Sequence, residues 1–502
     1  MEKYLYSSNS GNYNLVMAFP AIESFALSSL GYLWLYKIAD SMEGINAIRC
    51  STDNICNSKN IDAVAFSLSF DFDFLGVFKI LEELSIPFFS KDRSDDDPLI
   101  FAGGPVVTTN PRPYEDFFDF FIIGDGEEIF QKVLKIIKSN IKQKALKILE
   151  ELESVYIPNK HIKKNTVTLS ETIYTPIISD KAYFKNTFII ELARGCMNRC
   201  AFCIASYINL PFRSNEYSQI IKAIDLGLSH TNKIALLGAQ ISAHPQFNDI
   251  MKYIENKIDS GCEIELGISS LRTDSVTSDM VRTLVKGGQK HSTIAIEAAS
   301  ERLRRFINKN LKEEQIIEAI KISRENGLRG LKIYSMIGIP TETNEDLVEF
   351  IRLAKKIKEL NKGFYIEFSF STFVPKPHTP FQWSLREDTL SLEKKQKFLE
   401  KEFAKIGVNA KFSSAKWDYW QSVLSRGGNE LAEFLVQVYK NGGKLGAFKK
   451  AAKDLNLNFK SYFDYNEVLP WDIIAIEPNK KILKNELERL SKKNFSNEKL
   501  EN

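Results

Sequence analysis

Three cysteines lie within ten residues, at Cys196, Cys200 and Cys203 in the run RGCMNRCAFC. The spacing of three and then two intervening residues lets one tight loop direct three thiolates at one face of an iron–sulfur cubane. A 4Fe–4S cluster with three protein ligands leaves one iron open, as a catalytic zinc site keeps an open position. An open iron can chelate a substrate or cofactor, so the spacing predicts chemistry as well as electron storage.

A zinc site is the main alternative for these cysteines. Zinc sites usually show two Cys-x-x-Cys or Cys/His pairs, and no second pair follows at that spacing. Nothing at the amino terminus resembles a secretory signal, so we expect a cytoplasmic protein without disulfides. The remaining thiols, at Cys50, Cys56 and Cys262, are expected to be free and buried. The pattern therefore favours an iron–sulfur cluster.

Composition is typical of a globular chain of about three domains. The 502 residues are 44% hydrophobic and carry a formal net charge of +3, without a concentrated basic stripe that would indicate nucleic acid. The longest uncharged apolar stretch near the start, at 24–36, is too short to span a bilayer. We therefore expect no membrane partner.

Residues 1–150 alternate short apolar strands with amphipathic helices. Strands are predicted at 14–20, 45–49, 63–69, 98–102 and 117–123, and helices at 24–40, 74–84 and 127–138. This alternation predicts an α/β domain with a Rossmann-like, doubly wound parallel sheet. Glycine-rich runs at 103–105 and 124–128 follow predicted strands, where such sheets bind ligands, although tight turns explain these glycines equally well.

A connector is predicted at 151–183, followed by a second alternating region at 184–387. Its strands are predicted at 188–193, 233–237, 263–269, 293–298, 330–337 and 365–373. Six strand–helix units indicate a partial (β/α)6 barrel, open on one side, with functional residues at the carboxyl ends of its strands. Residues 388–502 are predicted to be mainly helical, with Trp417, Trp420 and Trp471 packing a small core of their own.

The cysteine run and three later segments resemble the radical SAM superfamily. The run IYSMIGIPTET at 333–343 is similar to the fifth-strand segment that contacts the adenosine of S-adenosylmethionine (SAM) in that family. The run IAIEAASERL at 294–303, followed by INK at 307–309, resembles the fourth-strand segment. The run TFVPKPHTPFQW at 372–383 resembles a subgroup that has an amino-terminal cobalamin-binding-like domain. The resemblance covers about residues 15–480.

This resemblance implies a reaction and its cofactors. In the family, SAM chelates the open iron, and the reduced cluster donates one electron that cleaves SAM to a deoxyadenosyl radical. The radical then removes hydrogen from an unreactive carbon. The resemblance also implies a reducing donor such as flavodoxin or ferredoxin. It leaves the substrate open between RNA, protein and a small molecule, with modification or methylation of RNA or protein as candidate reactions.

Two charged residues are candidates for SAM contacts, each with a structural alternative. Glu297, at a predicted strand end, would bond the ribose or the methionine amine, or form an ion pair with Arg302. Arg272 would hold the methionine carboxylate through its bidentate donor geometry, or pair with Asp274.

Two glycines and a histidine complete the candidate residues. Gly338 would let the backbone approach adenine closely, or would simply form a strand-to-helix turn. Gly238 would line the amine end of SAM. His378 could act as an acid or base, or only orient its proline-rich turn. We assign no catalytic role to any side chain.

Cobalamin is a further candidate cofactor by the same resemblance. The usual Asp-x-His-x-x-Gly motif is missing, and no histidine precedes His161, so the first domain cannot offer an imidazole to cobalt. A scaffold for another ligand is therefore favoured over cobalamin binding. Two other functions stand beside the enzyme: a redox sensor or binding module that holds cluster and SAM without turnover, and a zinc-stabilised scaffold.

Overall fold

Two groups of mainly parallel strands organise the chain. The computed structural model describes residues 2–58, 60–158, 160–459 and 463–496. Of the helices in these ranges, none combines the length and the apolarity that crossing a bilayer requires.

The first group is a six-stranded sheet in which five strands are parallel and the last is antiparallel. Its order is Ile45–Ser51, Tyr13–Phe19, Ala63–Ser67, Leu99–Gly103, Phe120–Ile122 and Val155–Tyr156. The flanking helices are Glu23–Ala26, Leu30–Asp40, Phe74–Glu83, Pro105–Thr109, Glu127–Ser139 and Lys142–Glu150. Both faces are covered, which explains the uninterrupted apolar character of the strands. The predicted doubly wound sheet is confirmed.

One predicted helix of this part is wrong in its extent. The helix expected at 24–40 is interrupted between Ala26 and Leu30. The hydroxyl of Ser28 donates to the carbonyl oxygen of Ser24 at 3.0 Å, the kind of local bond by which serine competes with helix continuation.

The second group is a partial barrel made of two parallel sheets. The strands are Thr187–Glu191, Lys233–Leu237 and Glu265–Ile268 in one sheet, and His291–Glu297, Gly330–Ile337, Tyr365–Thr372 and Asn409–Phe412 in the other. A single parallel bridge between Leu271 and Ile294 joins the two sheets. The barrel helices are Ala205–Ile208, Tyr217–Leu228, Phe247–Asp259, Ser278–Lys286, Glu301–Phe306, Glu313–Glu325, Asn344–Leu360 and Thr389–Ile406. The six predicted strands are confirmed, and the described part of the chain contains no closed barrel.

The seventh strand was not predicted, because Asn409–Phe412 is short and half polar. Residues beyond 387 therefore contribute a strand and a helix to the barrel sheet, and Val155–Tyr156, beyond 150, completes the first sheet. The boundaries at 150, 183 and 387 stay predictions.

The described residues also form shorter elements. The paired short strands are Lys3–Tyr4 with Ile177–Ile178, Ala193–Arg194 with Arg213–Ser214, and Ile162–Lys163 with Ile474–Ala475. The 3-10 turns are Ser90–Asp92, Arg112–Phe117, Ile241–Ala243, Thr273–Ser275, Pro380–Trp383, Asn429–Leu431 and Pro470–Ile473.

The last helices, Ala415–Arg426, Ala432–Lys440, Leu445–Asp454 and Lys480–Ser496, cover both groups of strands. Trp417 and Trp420 pack on Phe448 in a core that also contains residues of the first sheet. Trp471 lies instead in the core that contains Ala201 of the cysteine run. The prediction of one small core around three tryptophans is wrong, since Trp471 lies in a different core from Trp417 and Trp420 in the described part of the chain.

The run at 372–383 docks the barrel onto the first sheet. His378 is 5% exposed, and its Nε2–H donates to the carbonyl oxygen of Thr109 at 3.0 Å. Lys376 forms an ion pair with Asp71 at 2.7 Å. Burial lowers the pKa of His378 to about 4, so the ring stays neutral at physiological pH. A buried, neutral His378 bound to Thr109 fits the role of orienting its proline-rich turn rather than the role of an acid or base.

The buried His378 should make the protein less stable in mild acid. The unfolded chain takes up a proton near pH 6.5 while the native ring resists it to about pH 4, so stability falls as pH drops through this window. We expect His378→Gln, which keeps a donor for Thr109, to remove on the order of 2–3 kcal/mol of the loss between pH 7.5 and pH 4.5 in urea unfolding. The exposed His291→Gln variant is the control, and equal pH profiles for both variants would contradict the assignment.

Candidate active site

The cysteine loop, residues 194–203, follows the first barrel strand. Its three cysteines are free thiols, of which Cys196 and Cys200 are 9% and 6% exposed and Cys203 is partly exposed. Gly195 has a φ of 86°, and a Cβ at this position would lie 2.5 Å from the carbonyl oxygen of Asn209. Only glycine fits this sharp entry into the loop.

Three of the hydrogen bonds that hold the loop come from a turn after the fourth barrel strand. The Asn308 side chain donates to the carbonyl oxygens of Asn198 at 3.3 Å and Arg199 at 2.9 Å. The backbone N–H of Ala201 donates to the carbonyl oxygen of Ile307 at 2.9 Å. The turn at 307–310 thus supplies hydrogen-bond partners that the loop lacks within itself.

The loop after the second barrel strand contacts the first cysteine. The Cys196 thiol donates to Oε1 of Gln240 at 3.4 Å, and the Asn198 amide reaches the same oxygen. A Cβ on Gly238 would lie 2.9 Å from the carbonyl oxygen of Ala193, so glycine permits this approach. Sequence reasoning missed Gln240, whose position in the run LLGAQ was the only signal. The role of Gly238 at the amine end of SAM stays a prediction.

Glu297 lies at the end of the fourth barrel strand in a strained conformation. Its φ is 65°, and the strand register shifts between Ala295 and Glu297. The carboxylate pairs with Lys309 at 3.3 Å, with side chains 15% and 10% exposed. The salt bridge expected as the alternative role of Glu297 is formed, but with Lys309 rather than with an arginine such as Arg302, which pairs with Asp346. Lys309 was missed as a site residue, although it belongs to the INK run.

Arg272 forms the ion pair with Asp274 that the sequence offers as the alternative to a SAM contact. Its guanidinium holds Asp274 through two contacts, at 2.6 and 2.9 Å. Arg272 and Lys309 also lie close enough to act on Cys200. Burial raises the pKa of the Cys200 thiol to about 12, and these two cations oppose that rise. Lys309 and Arg272 therefore favour the Cys200 thiolate, whereas burial and the neighbouring Cys203 and Glu297 disfavour it.

Gly338 ends the fifth barrel strand with a φ of 76°. Its N–H donates to Oε2 of Glu342 at 2.8 Å, and Lys395 holds the same oxygen at 2.8 Å. A Cβ on Gly338 would lie 2.6 Å from Cδ2 of Leu392, so the long helix after the sixth strand packs directly on this turn. The turn is present as predicted, and its approach to adenine stays a prediction.

The donor set fits a cubane cluster. In the described ranges no three His, Cys, Asp or Glu side chains converge on one point as a single metal ion requires. A cubane differs because each cysteine binds its own iron at a separate corner. Three free thiols on one anchored loop, beside two cations, offer the ligands and the charge that such a cluster needs.

A cavity of about 420 Å³ lies between the first sheet and the barrel. Its floor is formed by the carboxyl ends of strands in the first sheet, including both glycine-rich runs, and its apolar walls include Leu30, Trp34 and Phe130. Glu191, Arg194 and Leu237 line it from the barrel side. None of the described lining residues is a histidine, so this cavity could hold cobalamin only without an imidazole ligand from its walls. Its volume suits a small-molecule ligand.

A buried ion network connects this cavity to the cysteine loop. Arg194 pairs with Asp125 at 2.9 Å, Glu127 at 2.7 Å and Glu191 at 2.9 Å, and Arg213 pairs with Asp125 at 2.5 Å. Burial opposes ionisation of Asp125, but the two guanidiniums outweigh it and lower the pKa of this carboxyl. Asp125 is therefore ionised near neutral pH.

Two family models match the chain. One, described as radical SAM proteins, N-terminal, matches residues 31–158, and one, described as radical SAM superfamily, matches residues 190–354. An uncharacterized protein of Methanocaldococcus jannaschii is 31% identical over 446 residues, which cover 87% of this chain and 94% of that protein. The tRNA-2-methylthio-N(6)-dimethylallyladenosine synthase of Chromohalobacter salexigens is 27% identical over 227 residues, covering 42% of this chain and about half (48%) of that synthase.

Solved structures share the fold at low sequence identity. The cobalamin-dependent SAM radical enzyme OxsB, with aqua-cobalamin and SAM bound, matches with a TM-score of 0.56 at 13% identity, over 97% of this chain and 81% of that one. The radical SAM methyltransferase TsrM from Kitasatospora setae, with cobalamin and a [4Fe-4S] cluster bound, matches with a TM-score of 0.54 at 11% identity, over 89% of this chain and 99% of that one.

The anchoring turn gives a direct test of the cysteine loop. We expect Asn308→Gly, which keeps the positive φ of 57° but removes the amide, to weaken iron retention by about tenfold, because the Asn198 carbonyl loses this donor and the Arg199 carbonyl is left with the Tyr207 hydroxyl. Iron loss to a chelator after anaerobic reconstitution measures this. The matched control is Asn456→Gly, the same substitution at a φ of 50° in the carboxyl-terminal region. Unchanged iron loss in Asn308→Gly would contradict the anchoring role.

Proposed function

Because the chain belongs to the radical SAM superfamily of enzymes, which use a 4Fe–4S cluster and SAM, we propose that Cys196, Cys200 and Cys203 hold this cluster and that the enzyme activates a carbon–hydrogen bond of its substrate. The observation that carries the proposal is the loop of three free thiols, anchored at the carboxyl end of the barrel beside two cations. When bound, the reduced cluster supplies the electron that cleaves SAM.

The chain's own residues would bind and orient the cofactors. Lys309 and Arg272 offset negative charge near Cys200. The Glu297–Lys309 pair presents a carboxylate and an ammonium side by side, which matches the amino and carboxylate groups of the methionine end of SAM. With SAM bound, its carboxylate would pair with Lys309 and its amino group with Glu297, in place of the internal ion pair. Both side chains would then keep a partner in a poorly solvated place.

The remaining cysteines favour methylation or another carbon-centred modification over sulfur insertion. Cys50 and Cys56 lie in or against the core of the first sheet, and Cys262 packs against the barrel core, so they form no second cysteine triad. Among the relatives, one from Pyrococcus horikoshii is described as an uncharacterized methyltransferase, and the match covers 62% of it.

We propose RNA or protein as the substrate class. We also propose that the cavity between the first sheet and the barrel holds a further ligand, for which cobalamin is a candidate.

The electron for SAM cleavage is proposed to come from a small reductant protein such as flavodoxin or ferredoxin, in the cytoplasm. The open side of the barrel leaves the cysteine loop's Met197 exposed to 59%, which gives such a donor a surface near the cluster.

Reconstitution without oxygen tests the function. Wild-type protein supplied with iron and sulfide, then reduced, should bind close to four irons per chain and release deoxyadenosine from SAM. Alanine at Cys196, Cys200 or Cys203 should reduce deoxyadenosine to background, because each removes an iron ligand. Cys262→Ala, which removes a thiol elsewhere in the chain, is the matched control and should behave like wild type.

Two results would overturn this function. Tight SAM binding to a fully loaded cluster without deoxyadenosine, even with candidate RNA and protein substrates present, would identify a sensor or binding module instead. Zinc with little iron or sulfide, in protein purified without oxygen, would identify a zinc-stabilised scaffold.

A further inference from the structure

The neck of the cysteine loop is bound to the first sheet by charge. Arg194 lies two residues before Cys196, and its guanidinium is shared by Asp125 of the loop after the fifth strand, by Glu127 at the start of the next helix, and by Glu191 of the barrel. The side chains of these four residues are 11–21% exposed, so water competes little for the ion pairs. Removal of one partner from such a network leaves a poorly solvated charge without its counter-charge.

The neck itself is a narrow two-stranded ladder. Ala193–Arg194 pairs with Arg213–Ser214, with Arg194 opposite Arg213. Two like charges opposite each other are unfavourable, and Asp125 lies between them, accepting from both guanidiniums at 2.9 and 2.5 Å. A residue of the first sheet's loop therefore completes the structure from which the cysteine loop projects.

The same residues form one wall of the cavity. Asp125, Glu127, Glu191 and Arg194 all line it. Glu127 uses only one of its carboxylate oxygens in the network: Oε2 is buried and has no hydrogen-bond partner among the described residues. A buried acceptor without a partner costs free energy, which makes the contact between Arg194 and Oε1 the more important for holding Glu127.

We propose that Arg194 is a positioning residue for the iron–sulfur cluster, through which the carboxylates on the cavity wall set the position of the cysteine loop. A change at Glu127, which lies 67 residues before Arg194 in sequence, is transmitted to Cys196 through a single guanidinium. This rests on the proposed function, because the cluster is what reports the position of the loop.

A double-mutant cycle with reconstituted protein tests this link. The variants are Glu127→Gln, Arg194→Lys and their combination, with Glu128→Gln as the matched control, since Glu128 is the next residue of the same helix and is exposed. The readouts are the rate of iron loss to a chelator and the electron paramagnetic resonance spectrum of the reduced cluster with and without SAM. Thermal unfolding of each variant checks that the fold is kept.

We expect Glu127→Gln to speed iron loss by about fivefold and to alter the SAM-dependent spectrum, as residues of one ion network are coupled. Glu128→Gln should match wild type. In the Arg194→Lys background, Glu127→Gln should add little, because lysine cannot hold three carboxylates at once.

Two outcomes overturn the proposal. One is a Glu127→Gln protein whose iron loss and spectrum equal those of wild type. The other is an effect of Glu127→Gln that adds in full to that of Arg194→Lys, because the route would then not pass through Arg194. Neither result touches the proposed function, which fails only if the wild-type protein holds no cluster or does not cleave SAM.

Discussion

The cysteine loop depends on hydrogen-bond partners that lie outside it. Asn198 and Arg199 belong to no helix or strand, and the side-chain amide of Asn308 donates to the carbonyl oxygens of both. That amide is available only because the fourth strand, the helix Glu301–Phe306 and a turn with two asparagines at positive φ return the chain to this point. The rest of the barrel serves to keep this turn and the loop at a fixed separation.

The first sheet and the barrel direct the carboxyl ends of their strands at one shared cavity. Parallel sheets of both kinds bind ligands at that edge, because glycine-rich turns and helix amino termini collect there. Here both edges contribute to the same cavity wall. Arg194 belongs to the cysteine loop, and its partners Asp125 and Glu127 follow the strand Phe120–Ile122 of the first sheet. The docking of Lys376 and His378 on the first sheet adds a second fixed contact between the same two parts.

Much of the fold could be predicted from strand patterns, whereas charge pairing could not. All six expected barrel strands are present, because buried parallel strands carry long apolar runs that are visible in the sequence. Asn409–Phe412 has no such run and was missed. Arg302 stands nearer to Glu297 in sequence than Lys309 does, yet Lys309 is the partner, because the turn at 307–310 reverses the chain direction.

The sequence by itself determined that Cys196, Cys200 and Cys203 lie on one loop, since three thiols so closely spaced in a chain share a loop whatever surrounds them. It also determined the two alternating regions, because periodicity is a local property. Only the tertiary structure decided two of the charge pairings at the site: Lys309 with Glu297, and Arg194 with carboxylates from two parts of the chain. These pairings follow from where long-range folding places each backbone segment, and no local pattern carries that information.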